Sequence, residues 1–299
     1  MKYYLGFDLG GTFIKFGVVK EDGTIMMHDK LSTPTTYQEL LHVMHAVVRE
    51  CQIQYLLAGV GCSMPGVVWK GKILSSGALT FLNKETFYED LRHQFQLPVA
   101  LVNDANAVCL AEKWVGNAIA YQDFICVTLG TAVGGGMFVN GALHEGFHGL
   151  AGEFGTGTIV MHQTDFTDCI HANCGVVLGA CRKYNNQTEN KTNNFEEILY
   201  RADNQEELAK TVVDEFVQMN GALLFNLALT TGPECILIGG GISQNENIIR
   251  RMTEEYERLA KAYAPLPAEY MPLIGSCKFH NKSGVLGAAY AAITGGNHA

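Results

Sequence analysis

Leu97-Pro98-Val99-Ala100-Leu101-Val102-Asn103-Asp104-Ala105-Asn106 is the stretch on which the reading of this chain turns. After Pro98 a run of β-formers reads as a short buried strand that stops at Asn103, Asp104 and Asn106. Ala105 to Trp114 has helical composition, with apolar Val108, Leu110 and Ala111, so Asn103 or Asp104 marks a helix N-terminus. In open α/β sheets ligands bind at the carboxyl ends of strands. A carboxylate there, flanked by two amides, can accept a proton from a substrate hydroxyl. Asp104 is therefore the candidate catalytic base, with helix capping as the competing use of the same side chain.

The rest of the chain bounds the chemistry this strand end can serve. With 299 residues, 47% of them hydrophobic, it can bury a sizeable core, and the length suits two modest α/β domains, here expected over 1–115 and 116–299. The net charge of −9 is offset by no basic stripe. That argues against a nucleic-acid partner and fits an enzyme that handles small anions through backbone amides. No run approaches the roughly 18 apolar residues of a membrane span, and the N-terminus opens on a strand pattern, KYYLGFDLGG, in place of a signal peptide. The expectation is a soluble, cytoplasmic protein. Of nine cysteines, Cys62, Cys109, Cys126 and Cys235 fall in apolar patterns, and the odd total indicates reduced thiols in place of a disulfide framework.

Tyr3 to Asp8 reads as a strand running into Gly10, Gly11 and Thr12, followed by a second strand with Ile14, Phe16, Val18 and Val19. Neither GxxxxGK[ST] nor GxGxxG is present, so the turn is a hairpin and not a strand-to-helix phosphate loop. Glycines at its tip let backbone amides approach phosphate oxygens, and Asp8 can hold Mg²⁺, through water; a tight hairpin with a solvated Asp is the alternative. A third strand near Thr24 to Met27 and a helix over Tyr37 to Cys51 follow. The strand Leu56 to Cys62 ends in Ser63-Met64-Pro65-Gly66, a rim loop able to bind a polyol or simply to turn. Asn83, in the loop before a helix at Thr86 to Phe95, offers amide donors and an acceptor suited to sugar hydroxyls.

Phe124 to Leu129 begins a second half that repeats the device. It runs through Gly130, Thr131 and the glycines 134–136 into a strand at Met137 to Val139. Two glycine hairpins half a chain apart indicate a duplicated architecture. His144 to Thr158 is glycine-rich with Glu153 near its centre, Cys169 to Ala180 reads as a Cys and His loop, and Asn185 to Asn194 as a polar insertion. Helices follow at Glu196 to Ala202 and Gln205 to Leu229. A strand over Glu234 to Ile238 meets Gly239, Gly240 and Gly241, where a missing Cβ allows close approach of an adenine or ribose. The small, apolar helix Gly284 to Thr294 is expected to pack tightly, back on the first domain.

In order, Asp8-x-Gly10-Gly11-Thr12, Ser63-x-Pro65-Gly66, Asn103-Asp104-Ala105-Asn106, Thr128-x-Gly130-Thr131-x-x-Gly134-Gly135-Gly136, Gly152-Glu153-x-Gly155 and Gly239-Gly240-Gly241 resemble the ROK family of bacterial sugar kinases along nearly the whole chain. The resemblance implies two ribonuclease-H-like domains of the actin, hexokinase and Hsp70 superfamily around a hinged cleft. It implies ATP held by Gly10, Gly11, Thr12, Gly130, Thr131, Gly134 and Gly239 to Gly241, with Mg²⁺ at Asp8. Sugar contacts would fall on Asn83, Asn103, Asp104 and Glu153, with Ser63 to Gly66 closing over the site, and Asp104 would take the proton of a hydroxyl, commonly on C6. A homodimer is a further family expectation. Some members are repressors with a winged helix ahead of the kinase-like portion; with the first strand beginning at residue 3, no such DNA-binding domain is expected here.

Two departures shape the expected substrate. The family pattern continues Glu-x-Gly-His and then a zinc-binding Cys-x-Cys-Gly-x-x-Gly-Cys-x-Glu block. Here Thr156 stands in place of that His, and the cysteine block is broken, with Arg182-Lys183-Tyr184 after Cys181. The expectation is loss of the structural zinc, with Cys169, His171, Cys174 and Cys181 as a rearranged alternative. Losing two groups that grip hydroxyls alters which sugars are admitted, with His148 or His162 as stand-ins for the missing ring. The leading expectation is an ATP-dependent kinase of a hexose or a hexose-containing glycoside such as a β-glucoside. N-acetylmannosamine, allose and glucose are alternative substrates, and a non-catalytic sugar sensor is the alternative class.

Overall fold

The computed structural model describes residues 2–130, 132–158, 170–263 and 267–295. Strands β1 (Tyr3–Leu9), β2 (Phe13–Lys20) and β3 (Ile25–Ser32) form an antiparallel meander, followed by helix α1 (Tyr37–Gln54) and β4 (Leu57–Met64), which returns parallel to β1. A small hairpin, β5 (Val68–Trp69) and β6 (Lys72–Ile73), precedes α2 (Phe87–Phe95), β7 (Val99–Asn103) and α3 (Asp104–Val115). The first sheet is ordered β3-β2-β1-β4-β7.

The second series runs β8 (Phe124–Leu129), β9 (Val133–Val139), β10 (Ala142–Leu143), α4 (Phe154–Gly157), α5 (His171–Cys174), α6 (Val177–Asn185), α7 (Phe195–Asp203), α8 (Glu207–Thr231), β11 (Cys235–Gly239), α9 (Glu246–Ala262), β12 (Leu273–Ser276) and α10 (Ser283–Ile293). Its sheet, β10-β9-β8-β11-β12, repeats the order of the first, with β11 parallel to both β8 and β12. The duplicated α/β architecture expected from the two glycine turns is therefore present as two sheets of like topology. Residues 1–122, 136–152 and 281–299 make one compact unit, and 123–135 with 153–280 make the other.

In the first unit the period of two along the strands decides which face meets what. Leu5, Phe7 and Leu9 of β1 join Leu40, Met44, Leu91 and Phe95 in a core under α1 and α2. On the other face, Gly6 of β1 and Gly61 of β4 let α10 come close. A Cβ on Gly6 would come within 2.1 Å of the Val285 carbonyl oxygen, and one on Gly61 within 1.7 Å of that of Ala288. Gly287 of α10 is as tight against α3, where a Cβ would lie 1.8 Å from the Ala107 carbonyl oxygen. In the second unit, α8 buries Val212, Val213, Phe216, Leu223, Leu224 and Leu227 against α7 and α9.

Several boundaries differ from the sequence reading for identifiable reasons. Gly134, Gly135 and Gly136 belong to β9 and not to the turn before it. Gly136 is glycine because a Cβ would sit 2.7 Å from Asn106 Oδ1 and 2.8 Å from Cys109 Sγ. The third strand continues through polar His28, Asp29 and Lys30, as an edge strand with exposed residues does. His171 to Ala180 is largely helical, in α5 and α6, where a loop was expected. β12 was not anticipated, its four residues being too few for alternation to show. Among the described residues no helix is long and apolar enough to cross a membrane.

The glycine contacts give a direct test. Gly61→Ala forces a methyl into backbone and is expected to cost about 3 kcal/mol of unfolding free energy. Gly157→Ala, where a Cβ would meet nothing within 4 Å, should change stability by no more than about 0.5 kcal/mol. Urea titration followed by circular dichroism measures both.

Candidate functional site

In the first unit the three parallel strands β1, β4 and β7 end in register, pairing Asp8 with Ser63 and Met64 with Asn103. Ser63 is fully buried and donates its hydroxyl to Asp8 Oδ1 at 3.2 Å. Lys15, opposite Asp8 across the hairpin, places its ammonium 3.4 Å from Oδ2. The Gly10 to Thr12 tip is held by Gly10 N–H donating to the Phe13 carbonyl at 3.0 Å and by the Thr33 hydroxyl donating to the Gly10 carbonyl at 2.6 Å. Gly11 and Thr12 are exposed there.

Asn103 settles the competition over the helix cap. Its Oδ1 accepts the amides of Ala105 and Asn106 at 2.9 and 3.0 Å, so it caps α3. Its Nδ2 donates to the Gly66 carbonyl at 2.7 Å and to Asp104 Oδ1 at 3.1 Å. Two acceptor sites and two donor protons exhaust a carboxamide, so Asn103 is fully engaged inside the protein. Asp104 is then the first residue of the helix, exposed, with Oδ1 also accepting its neighbour's amide from Ala105 at 2.9 Å. Gly66 has φ +95°, and a Cβ on it would run into the Ser75 carbonyl oxygen at 2.2 Å. The structure thus brings Asp8, Ser63, Gly66, Asn103 and Asp104 together at one sheet edge. Asn83 is exposed on the loop before α2, with its Oδ1 accepting the Glu85 amide at 3.2 Å.

The second unit gathers its own glycines at the ends of β8 and β11. Gly130 donates its amide to the Ala132 carbonyl at 3.1 Å and accepts the Val177 amide at 3.2 Å, tying the turn to the start of α6. Gly240, at φ +82°, lies so close to β8 that a Cβ would fall 2.2 Å from the Leu129 carbonyl oxygen. At Gly130 and Gly241, by contrast, a Cβ would meet nothing within 4 Å, leaving open space beside the backbone. Thr131 lies outside the described residues, and Gly134 sits at the start of β9. Glu153 is half-buried, burial pushes its pKa up, and its carboxylate has no hydrogen-bond partner among the described residues.

Two of the four candidate zinc ligands, His171 and Cys174, have other hydrogen-bond partners. His171 is buried, and Nε2 lies 3.2 Å from Asn220 Oδ1. Asn220 Nδ2 donates to the Gly175 and Phe216 carbonyls, so its oxygen is the acceptor and His171 carries the proton on Nε2. Burial, ahead of the opposing Asn220 hydrogen bond, holds the imidazole pKa down. Cys174 directs Sγ to the Ile170 carbonyl at 3.3 Å, and Cys181 is buried. Cys169 and His162 lie outside the described residues, among which no group of three or more His, Cys, Asp and Glu is placed to hold a metal. Thr156 is exposed. Lys15 was missed in the sequence, although hairpin pairing about Gly10 to Thr12 puts position 15 opposite position 8.

A profile of the ROK family matches residues 4–294. The chain is 30% identical to a β-glucoside kinase of Listeria monocytogenes over 300 residues, 95% of each chain, and 30% identical to an N-acetyl-D-glucosamine kinase of Pectobacterium carotovorum over 307 residues, 96% of this chain and 97% of that one. Among solved structures it is similar to a ROK family glucokinase from Streptomyces griseus in complex with glucose and AMPPNP, with TM-score 0.83 and 25% identity over 98% of this chain and 99% of that one. That similarity carries the expected superfamily fold.

Glu153 yields a pH prediction. Its folded-state pKa is raised, so its contribution to stability is complete below the ordinary glutamate pKa and is lost as pH rises through the folded value. Glu153→Gln removes the charge that burial penalises. The variant should melt above the native protein at pH 8, and the gap should close toward pH 4; a gap of equal size at both ends would contradict the desolvation of this carboxylate.

Proposed function

Because the chain belongs to the ROK family, we propose that it is a sugar kinase that uses ATP and Mg²⁺ to phosphorylate a hexose or a hexose-containing glycoside at its C6 hydroxyl. The observation that carries the reading is the Asn103–Asp104 strand end. One residue supplies the cap and the tie to Gly66, which leaves the next residue exposed on a fixed backbone, with one carboxylate oxygen oriented by two donors.

In this reading Asp104 orients the acceptor hydroxyl and takes its proton late. The hydroxyl oxygen bonds to the γ-phosphorus, the bond from that phosphorus to the bridging oxygen breaks, and the electron pair leaves on ADP. Such a loose transition state asks the protein mainly for positioning and charge neutralisation. Asn103 acts as a positioning residue, since its amide is spent on the cap, Gly66 and Asp104. Ser63, buried under Asp8, fixes that carboxylate in place of touching sugar. The half-buried Glu153 carboxylate is suited to accept sugar hydroxyls, and exposed Asn83 offers a further amide. Gly10 to Thr12, Gly130 with Thr131 and Gly134, and Gly239 to Gly241 are assigned to the nucleotide. The open space beside Gly130 and Gly241 supports this.

Asp8 fits Mg²⁺. It is a single carboxylate at a strand end with its orientation set by Ser63, and Mg²⁺ is commonly held by one or two carboxylates with waters and substrate phosphates. When bound there, the ion neutralises phosphate charge. The named relatives act on differently substituted hexoses, so the acceptor is proposed at the level of hexose or hexose glycoside.

Asp104→Asn keeps the shape of the site and removes the proton acceptor. It should lower phosphoryl transfer by about 10³-fold or more while leaving the sugar dissociation constant within about tenfold. Coupled ADP release over a sugar panel, with calorimetry for binding, reads both quantities; near-normal turnover would remove Asp104 from the role.

A further inference from the structure

The first unit also carries a cluster of rings that phosphoryl transfer does not use. The His148 ring meets Trp69 edge-on, with centroids 4.7 Å apart and planes at 81°, and lies 3.8 Å from the ring of Phe147. Phe147 is 78% exposed and, with His148 against it and Trp69 next to that, forms a contiguous ring surface. The Lys70 ammonium sits 4.7 Å over Trp69. Both loops that present these rings adopt costly backbone: Lys70 has φ +49° and His148 has φ +57°, the left-handed region that side chains disfavour. Gly149 locks them together, since a Cβ there would come within 2.6 Å of the Val68 carbonyl oxygen. Glu145 is half-buried beside them. Burial pushes its carboxyl up, Lys70 pulls the other way, and its side chain makes no hydrogen bond among the described residues.

The cluster borders the proposed acceptor end. Trp69 follows Gly66 by three residues, and the Gly66 carbonyl is the one that Asn103 binds beside Asp104. The β5 strand packs beside β7, which ends at Asn103, and the Phe147–Gly149 turn packs on β5. A pyranose ring has one face of C–H groups and a rim of hydroxyls. It therefore needs what is present here, an exposed aromatic surface with a carboxylate and an ammonium next to it. The two charges are opposite, so the ligand they suit is neutral.

We propose that Trp69, Phe147 and His148 form a subsite for the second ring of a two-ring glycoside, with Glu145 and Lys70 bonding its hydroxyls. The inference rests on the sugar-kinase reading and narrows its acceptor from a free hexose to a hexose glycoside.

The test compares glucose with cellobiose and maltose, in native protein and in the Phe147→Ala and Trp69→Leu variants. Calorimetry without nucleotide gives binding, and ADP release gives kcat/KM. The expected result is a native preference of about tenfold or more for at least one disaccharide over glucose, reduced in both variants to about threefold or less. No native preference, an unchanged preference in the variants, or equal loss for glucose and disaccharide overturns the subsite. Selective disaccharide binding that the variants abolish, with no phosphate transferred to any sugar, would keep the subsite and sink the kinase. Phosphorylation with preference untouched would do the reverse.

Discussion

Val285 and Ala288 place their carbonyl oxygens where the side chains of Gly6 and Gly61 would be, and the strand ends depend on that backbone-to-backbone approach. With α10 so close to the sheet, the polar residues next along the same face, Asp8 after Gly6 and Ser63 after Gly61, emerge at the helix N-terminus. Gly284 continues the constraint, since a Cβ there would lie 2.5 Å from the Asp8 carboxyl carbon. A carboxylate gains from the positive end of a helix. The position of Asp8 is thus a consequence of packing along the whole of α10.

Asn103 does for the end of β7 what α10 does for Asp8. One carboxamide caps α3, binds the Ser63–Gly66 loop through the Gly66 carbonyl and turns toward the Asp104 carboxylate. A helix start, a loop and the Asp104 side chain are therefore fixed relative to one another by a single group. An aspartate at 103 would keep the cap but lose both donors. The asymmetry of the amide is what the arrangement uses.

The sequence made the strand ends legible because abrupt changes of character are local: β-formers yield to Asn-Asp at 103 and 104, and strands run out into glycines at 10 and at 239 to 241. The small composition of the last helix likewise announced close packing. What stayed hidden depends on partners distant in the chain. Gly136 reads as one more turn glycine until Asn106 and Cys109 are known to press on it. Ser63 reads as a rim hydroxyl until the register with Asp8 turns it inward. His171 reads as a metal ligand until Asn220, 49 residues on, is seen to accept its proton. The aromatic cluster joins residues near 69 to residues near 148, and neither segment has a period to betray it.

A chain of net charge −9 proposed to bind a nucleotide needs a local field of the opposite sign. Asp8 alone would worsen the problem, and Lys15 offsets it. A partly exposed pair 3.4 Å apart adds no more than about 1 kcal/mol to stability, so its effect on the fold is slight and its effect on local charge is not. His28, on the neighbouring edge strand, reports that field. Burial first, and then Lys282 and Lys15, hold its pKa down against Asp29 and Asp8. Each of the two cations therefore weighs more at this imidazole than either carboxylate does.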